Sequence, residues 1–191
     1  MHPLRRHFSK VVEFTDQEFE QCLNHFNLEK YKRKDLVIQA GELVSQQYFV
    51  VQGCLRTYLL DQNVKEHTVQ FAVEDWWASD YIAYYTGDKS TLYVECIEDC
   101  ELLSIRKIDL EKLFLQVPTL EHFFLRQLEN AFVAFQKRIL SNLQSSAEER
   151  YDLFVSNYPN IEQRVKNYQI ASFLGITPES LSRIRKTRAR H

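Results

Sequence analysis

Three polar side chains near the C-terminal end of the chain, Glu179, Ser180 and Arg183, are spaced so that a single helix carries them on adjoining turns. Their neighbours Leu181 and Ile184 are apolar and occupy a different face. Side chains of these types on one exposed stripe can recognise base edges. An arginine fork offers two parallel donors to guanine O6 and N7, and a carboxylate accepts from cytosine N4. Arg185, Lys186 and Arg188 follow, and with the Thr177 hydroxyl and Asn167 they are candidates for gripping phosphates. Between Arg164 and His191 seven cations face one anion, a local charge of +6, while the other 163 residues carry −8 within an overall −2. A basic segment on an acidic body supplies the counterion release that drives association with nucleic acid.

A recognition stripe needs a scaffold that holds it outward, and the residues upstream have the types for one. Ile170, Leu174, Leu181 and Ile184 give two crossing helices their facing apolar surfaces, and small Ala171 stands where the backbones approach. Gly175 can take the left-handed conformation that ends the first helix, and Ile176 can fill the wedge between the two. Thr177 is a good N-cap and Pro178 a favoured first helical residue, so the second helix starts at Pro178. Together these features predict a helix-turn-helix.

Further upstream, the capping-box spacing Ser145/Ser146 to Glu148/Glu149 predicts a fresh helix that runs to Tyr158-Pro159. From Thr119 to about Leu143 there is neither Gly nor Pro, and Leu125, Leu128, Phe132, Phe135 and Ile139 recur in steps of three and four. That stripe is read as the seam of a homodimer, with Phe123, Phe124 and Ala131 left to serve the body. Thr15 to Glu18 has capping-box spacing too, and predicts a helix over Thr15 to Asn27. Between Lys34 and Arg106, short β-branched and aromatic runs alternate with turn signals at Gly41-Glu42, Gly53, Asp61-Gln-Asn63 and Glu98-Asp99, the pattern of a barrel or roll.

Composition bounds the remaining possibilities. Apolar residues are 45% and charged residues 26%, with four Gly and four Pro, which excludes low-complexity and collagen-like classes. The four cysteines, Cys22, Cys54, Cys96 and Cys100, form no C-x-x-C pair, so neither a zinc ribbon nor a disulfide framework is expected and the setting is a reducing cytoplasm. No apolar run reaches the length of a membrane span, and no membrane partner is expected. A metalloenzyme of the cupin kind needs clustered imidazoles, whereas the roll region offers only His67 among its strands; no metal and no enzymatic activity are expected. A signalling or scaffold module whose helix-turn-helix meets a protein partner is the other alternative, separable by salt-dependent DNA binding.

The block Gln169-Ile-Ala-Ser-Phe-Leu-Gly-Ile-Thr-Pro-Glu-Ser-Leu-Ser-Arg183-Ile184 resembles the recognition segment of the Crp/Fnr transcription regulators. The likeness extends through Gly41-Glu42, Tyr48-Phe-Val-Val-Gln-Gly53 and Asp99-Cys-Glu-Leu-Leu-Ser-Ile-Arg106. In that family a Glu and an Arg four residues apart read bases, and they match Glu179 and Arg183. The resemblance implies an α+β fold: an N-terminal double-stranded β-helix of the jelly-roll, cyclic-nucleotide-binding-like kind (1–118), a dimerisation helix (119–144) and a C-terminal all-α helix-turn-helix domain (145–191). It implies double-stranded DNA and a second copy as partners, with RNA polymerase and a small-molecule effector as further candidates.

Two departures from the family qualify this. The cassette that binds the cyclic phosphate in relatives reads here Trp76-Trp-Ala-Ser-Asp-Tyr-Ile-Ala-Tyr-Tyr-Thr-Gly-Asp-Lys-Ser-Thr-Leu92 and contains no arginine. Cyclic AMP is therefore not expected, no cofactor is assigned, and Trp76, Trp77, Asp80, Tyr81, Lys89 and Tyr93 are the candidate lining of a repurposed effector pocket or the parts of an aromatic plug. Scattered cysteines likewise argue against an iron–sulfur sensor. The second departure is that only five residues follow Lys186, so the β-wing of some relatives is not expected. Pro178 also replaces a polar base reader common among relatives, so their operators do not transfer.

Overall fold

The computed structural model describes residues 1–188; Arg190, counted in the basic segment, lies outside them. In chain order the elements are α1 (Pro3–Phe8), α2 (Asp16–Leu23), β1 (Asn27–Tyr31), β2 (Leu36–Ile38), β3 (Gln46–Gln52), β4 (Leu55–Leu60), β5 (Glu66–Ala72), β6 (Trp77–Ala78), α3 (Tyr81–Thr86), β7 (Leu92–Cys96), β8 (Cys100–Arg106), α4 (Lys107–Gln116), α5 (Pro118–Gln144), α6 (Ala147–Asn157), α7 (Ile161–Arg164), α8 (Asn167–Leu174) and α9 (Pro178–Arg188). Two four-stranded sheets, ordered β1-β8-β3-β6 and β2-β7-β4-β5, make the roll. The chain divides into two compact units, Met1–Thr57 with Phe71–Asn130, and Tyr58–Gln70 with everything from Ala131 onward. The tip of the β4–β5 hairpin thus groups with the C-terminal helices.

In the first unit the centres of β3 and β8 are buried on both faces, which is why they read as continuous apolar runs rather than as an alternation. Val50 and Leu102 point inward and meet Leu55, Ala72 and Val94 of the other sheet. Their neighbours Phe49, Leu103 and Ile105 point the other way, into a cluster with Leu4 and Phe8 of α1, Phe19 of α2, Leu113 of α4 and Phe123 of α5. A strand's two-residue period puts adjacent residues into these different cores. No helix among the described residues is long and apolar enough to cross a membrane.

Helix boundaries follow their caps. The Thr15–Glu18 capping box is formed in both directions and starts α2, but the helix ends at Leu23 rather than at Asn27, because Asn27 already pairs with Ser104 as the first residue of β1. Of the two capping boxes open before α6, the Ser146–Glu149 pair is the one that forms. Pro118 begins α5 directly after α4 ends at Gln116, as its fixed φ and missing N–H allow at a first helical position. Three short helices have no counterpart in the sequence reading, α7 between the capped helix α6 and the helix-turn-helix among them. α1 carries Pro3 at its start, and α3 folds the Tyr-rich run that pattern alone leaves without structure.

In the second unit, the hairpin tip is pinned by Asp61, whose Oδ1 accepts from the Asn63 and Lys65 amides at 2.8 and 3.0 Å while Oδ2 pairs with His67 at 2.9 Å. The head has a small core in which the Phe154 ring lies 5.1 Å from that of Tyr158 and 5.3 Å from that of Phe173.

Candidate nucleic-acid interface

α8 and α9 cross over Ile170, Ala171, Leu174, Leu181 and Ile184, all buried. The turn between them is built as its residue types require. Gly175 ends α8 with φ +67°, a conformation that would strain any side chain, and the Ile176 amide donates to the Ala171 carbonyl at 3.0 Å. Thr177 Oγ1 then accepts from the Ser180 amide at 3.2 Å and caps α9.

With Leu181 and Ile184 turned inward, Glu179, Ser182, Arg183 and Lys186 are left exposed on α9. Arg183 Nη2 donates to Ser180 Oγ at 3.3 Å, so the half-buried Ser180 orients the guanidinium and is tied to the cap. The Glu179 carboxyl is held below the usual carboxylate range, first by a backbone amide, then by Thr177 and by the charge of Arg183; it stands as an ionised acceptor in solvent. The arrangement presents one acceptor and one forked donor, four residues apart, on a convex helix face that is not otherwise engaged.

The candidate phosphate grips divide into two groups. Lys186 and Arg188 are exposed, the latter pairing with Asp152 at 2.9 Å, and Thr177 is exposed at the start of α9. Arg185 and Asn167 face each other instead. Arg185 donates from Nη1 to Asn167 Oδ1 and from Nε to the Tyr151 hydroxyl at 3.2 Å, and pairs through Nη2 with Glu162 at 2.5 Å. Tyr151 in turn donates to Glu162, and burial followed by that bond pushes its pKa up, so the hydroxyl stays protonated. A four-residue network thus joins α6, α7, α8 and α9, and ties the candidate phosphate grips Arg185 and Asn167 to each other. No spacing rule finds such a network, because its members are 34, 18 and 11 residues apart in sequence.

The seam residues occupy one long helix and are uncovered. Leu125, Leu128, Phe132, Phe135 and Ile139 are each between 45% and 60% exposed, as are Val133 and Leu140 beside them. Phe123 is buried in the first unit's core, as read, while Ala131 is exposed.

A family model for the cyclic nucleotide-binding domain matches residues 28–117. Over 183 residues the chain is 22% identical to the cAMP-activated global transcriptional regulator CRP of Haemophilus influenzae, covering 90% of this chain and 81% of that protein. Among solved structures it superposes on the c-di-GMP-responsive regulator CLP of Xanthomonas campestris with a TM-score of 0.71 at 18% identity, over 92% of this chain and 93% of that one. A structure described as a regulator of the Crp/Fnr family from Eubacterium rectale gives 0.67 at 16% identity, over 93% and 85% of the two chains. The chain thus carries a match to the cyclic nucleotide-binding domain over residues 28–117 and has the fold of these regulators.

The six residues that could line an effector pocket or form an aromatic plug differ in their surroundings. Trp77 lies in the aromatic cluster outside the roll, 5.4 Å from Phe49 and 5.1 Å from Phe124 by ring centroids, and donates from Nε1 to His7 at 3.2 Å. Asp80 is buried. Its Oδ1 caps α3 through the Ile82 and Ala83 amides at 3.0 and 3.3 Å, and its Oδ2 accepts from Ser90 at 2.8 Å. Tyr81 stacks on Tyr85 at 6.1 Å, Trp76 and Lys89 are exposed, and Tyr93 is partly exposed. A cavity of about 220 Å³ opens elsewhere in the unit, between Val37 and Tyr48. One buried charge escaped the sequence reading: Arg56 of β4 is fully enclosed, and nothing in the run Cys54-Leu-Arg-Thr-Tyr58 marks it as different from a solvent-facing strand arginine.

Proposed function

We propose that this chain is a homodimeric, sequence-specific transcription regulator of the Crp/Fnr kind in the cytoplasm, with a roll (1–118) as its sensor, residues 119–144 as its dimerisation helix and residues 145–191 as its reading head. Glu179 and Arg183 read base edges, with Ser180 fixing the Arg183 fork, while Lys186, Arg188 and the Thr177 hydroxyl grip phosphates. The observation that carries this is the division of α9: Leu181 and Ile184 are buried while Glu179 and Arg183 stand in solvent on a capped helix. The apolar stripe of α5 supports pairing with a second copy, since a continuous row of half-exposed Leu and Phe is costly in water and is self-complementary along a two-fold axis. Two heads related by that axis suit half-sites one helical turn, about 34 Å, apart.

The effector is a small molecule other than cyclic AMP. Asp80, the buried carboxylate of the cassette, already accepts from two amides and a hydroxyl, and the segment from Trp76 to Leu92 has no arginine for a phosphate. RNA polymerase is the partner through which a bound dimer acts on transcription. Selection of bound duplexes from a random pool tests the reading. A palindromic consensus, with binding that weakens steeply as salt rises, is the expected result; failure to enrich any sequence would favour a protein partner for α9.

A further inference from the structure

Strand β5 is the outer strand of its sheet, and such edges expose ladder groups to whatever can pair with them. Within the second unit a side chain of the head does so. The Ser172 hydroxyl on α8 accepts from the Thr68 amide at 2.8 Å and donates to the Glu66 carbonyl at 3.0 Å, satisfying the two backbone groups that a partner strand would engage. Arg138 of α5 joins the same place. Its guanidinium donates to the Val69 carbonyl, donates to the Phe173 carbonyl at 3.4 Å, and lies 4.1 Å from the centre of the Phe173 ring. Burial lowers the Arg138 pKa without removing the charge, so the fork remains a donor to both elements. One serine and one arginine therefore tie the hairpin tip, the dimerisation helix and the first helix of the helix-turn-helix together.

We propose that Ser172 and Arg138 are positioning residues that form a latch, setting the angle at which the head is held on the α5 axis and hence the half-site spacing that a dimer accepts. The idea rests on the reading of the chain as a DNA-binding dimer. Neither residue lies on the face of α9 that reads bases. The hairpin tip that they grip continues covalently into the roll through Thr57 and Phe71, so a change in the strands of the roll has a direct mechanical route to the latch. An unlatched head is still folded and still basic, but its direction is no longer fixed.

The test uses the full chain and two readouts. Hydrogen exchange at the Thr68 amide reports the latch without DNA, and binding to the selected palindrome, against copies with one or two base pairs inserted at its centre, reports head angle. Each inserted pair displaces a half-site by about 3.4 Å and rotates it by about 35°. Wild type is expected to show slow Thr68 exchange and to lose about tenfold in affinity per inserted pair. Ser172→Ala, which removes only an oxygen, should accelerate exchange and shrink the spacing penalty to about threefold or less, with non-specific binding and its salt slope unchanged. Ser172→Thr should restore both behaviours, and Arg138→Gln gives the same comparison if Ser172→Ala fails to fold. Faster exchange with an unaltered spacing penalty overturns the latch and leaves the dimer reading standing. A wild type that binds the palindrome with no spacing penalty, or not at all, removes the dimer reading and the latch with it.

Discussion

Replacing Arg185 by alanine separates a side chain that holds the head together from one that touches DNA. Its guanidinium pairs with Glu162 at 2.5 Å, donates to Tyr151 at 3.2 Å and to Asn167, and lies 5.8 Å from the centre of the Tyr151 ring, with 26% of the side chain exposed. Breaking one half of a fully buried pair costs about 3–5 kcal/mol, and an exposed pair contributes below about 1 kcal/mol. Glu162 is 33% exposed, so the pair lies between these limits and Arg185→Ala should destabilise the head by about 2 kcal/mol. A unit this small holds roughly 0.05–0.15 kcal/mol of stability per residue, so that loss is a large part of the total. Hydrogen exchange of the α8 and α9 amides measures it locally. A double-mutant cycle with Glu162→Gln should return a coupling of about 1 kcal/mol or more. The salt slope of non-specific DNA binding should hardly change, in contrast to Lys186→Ala, which removes one phosphate contact and lowers the slope by about 0.9. If Arg185→Ala instead flattens the slope by that amount and leaves exchange untouched, the internal tie is wrong and Arg185 is a phosphate grip.

Other perturbations follow from the same geometry. Arg183→Ala should cost about 1–3 kcal/mol on the preferred duplex and erase discrimination at one base pair, measured by titrating duplexes substituted at each position; a uniform loss on every sequence would show that Arg183 only meets phosphates. Phe135→Glu, at a position 58% exposed and outside any core, should leave the fold intact and yield monomers in sedimentation; an unchanged dimer would move the interface off α5. His7 is buried between the rings of Phe49 and Phe123, its Nε2 accepting from Trp77, and burial pushes its pKa down to about 4. The unfolded chain takes up this proton at about 6.5, so stability should be constant above that pH, fall by about 3 kcal/mol between about 6.5 and 4, and change no further from this group below 4. Denaturant midpoints of wild type and His7→Gln across that range check it, and parallel curves for the two would reject the assignment.

The head was the most legible part of the chain, because a helix-turn-helix depends on local chemistry: a glycine that must adopt positive φ, a capping threonine followed by proline, and an apolar spacing that two short helices share. Thr15 and Ser146 were legible for the same reason, since a capping box is a matter of three residues. The roll was visible as strands and turns, but its pairing, with β8 between β1 and β3, joins residues from 49 to 77 positions apart that no local pattern relates. Residue types misled where long-range contacts decide. Arg185 looked like its exposed neighbour Lys186 until Glu162 and Tyr151 were found beside it. The aromatic run after Trp76 fitted either a pocket wall or a packed plug by type alone, whereas contacts show that Trp77 packs with His7 and Phe124, and that Tyr81 to Thr86 coil into a helix that Asp80 caps. Ser172 carried no signal, because a hydroxyl in the middle of a helix is common and its two bonds reach more than 100 residues back.

The most direct measurement is of wild type and Glu179→Ala against the duplex enriched from a random pool and a set of its single-base-pair variants, at two salt concentrations. If α9 reads bases, wild type should prefer the enriched duplex by about a thousandfold or more over random sequence, and Glu179→Ala should lose discrimination at one symmetric pair of positions while keeping the salt slope. Equal affinity of wild type for every duplex would mean that this helix does not read sequence.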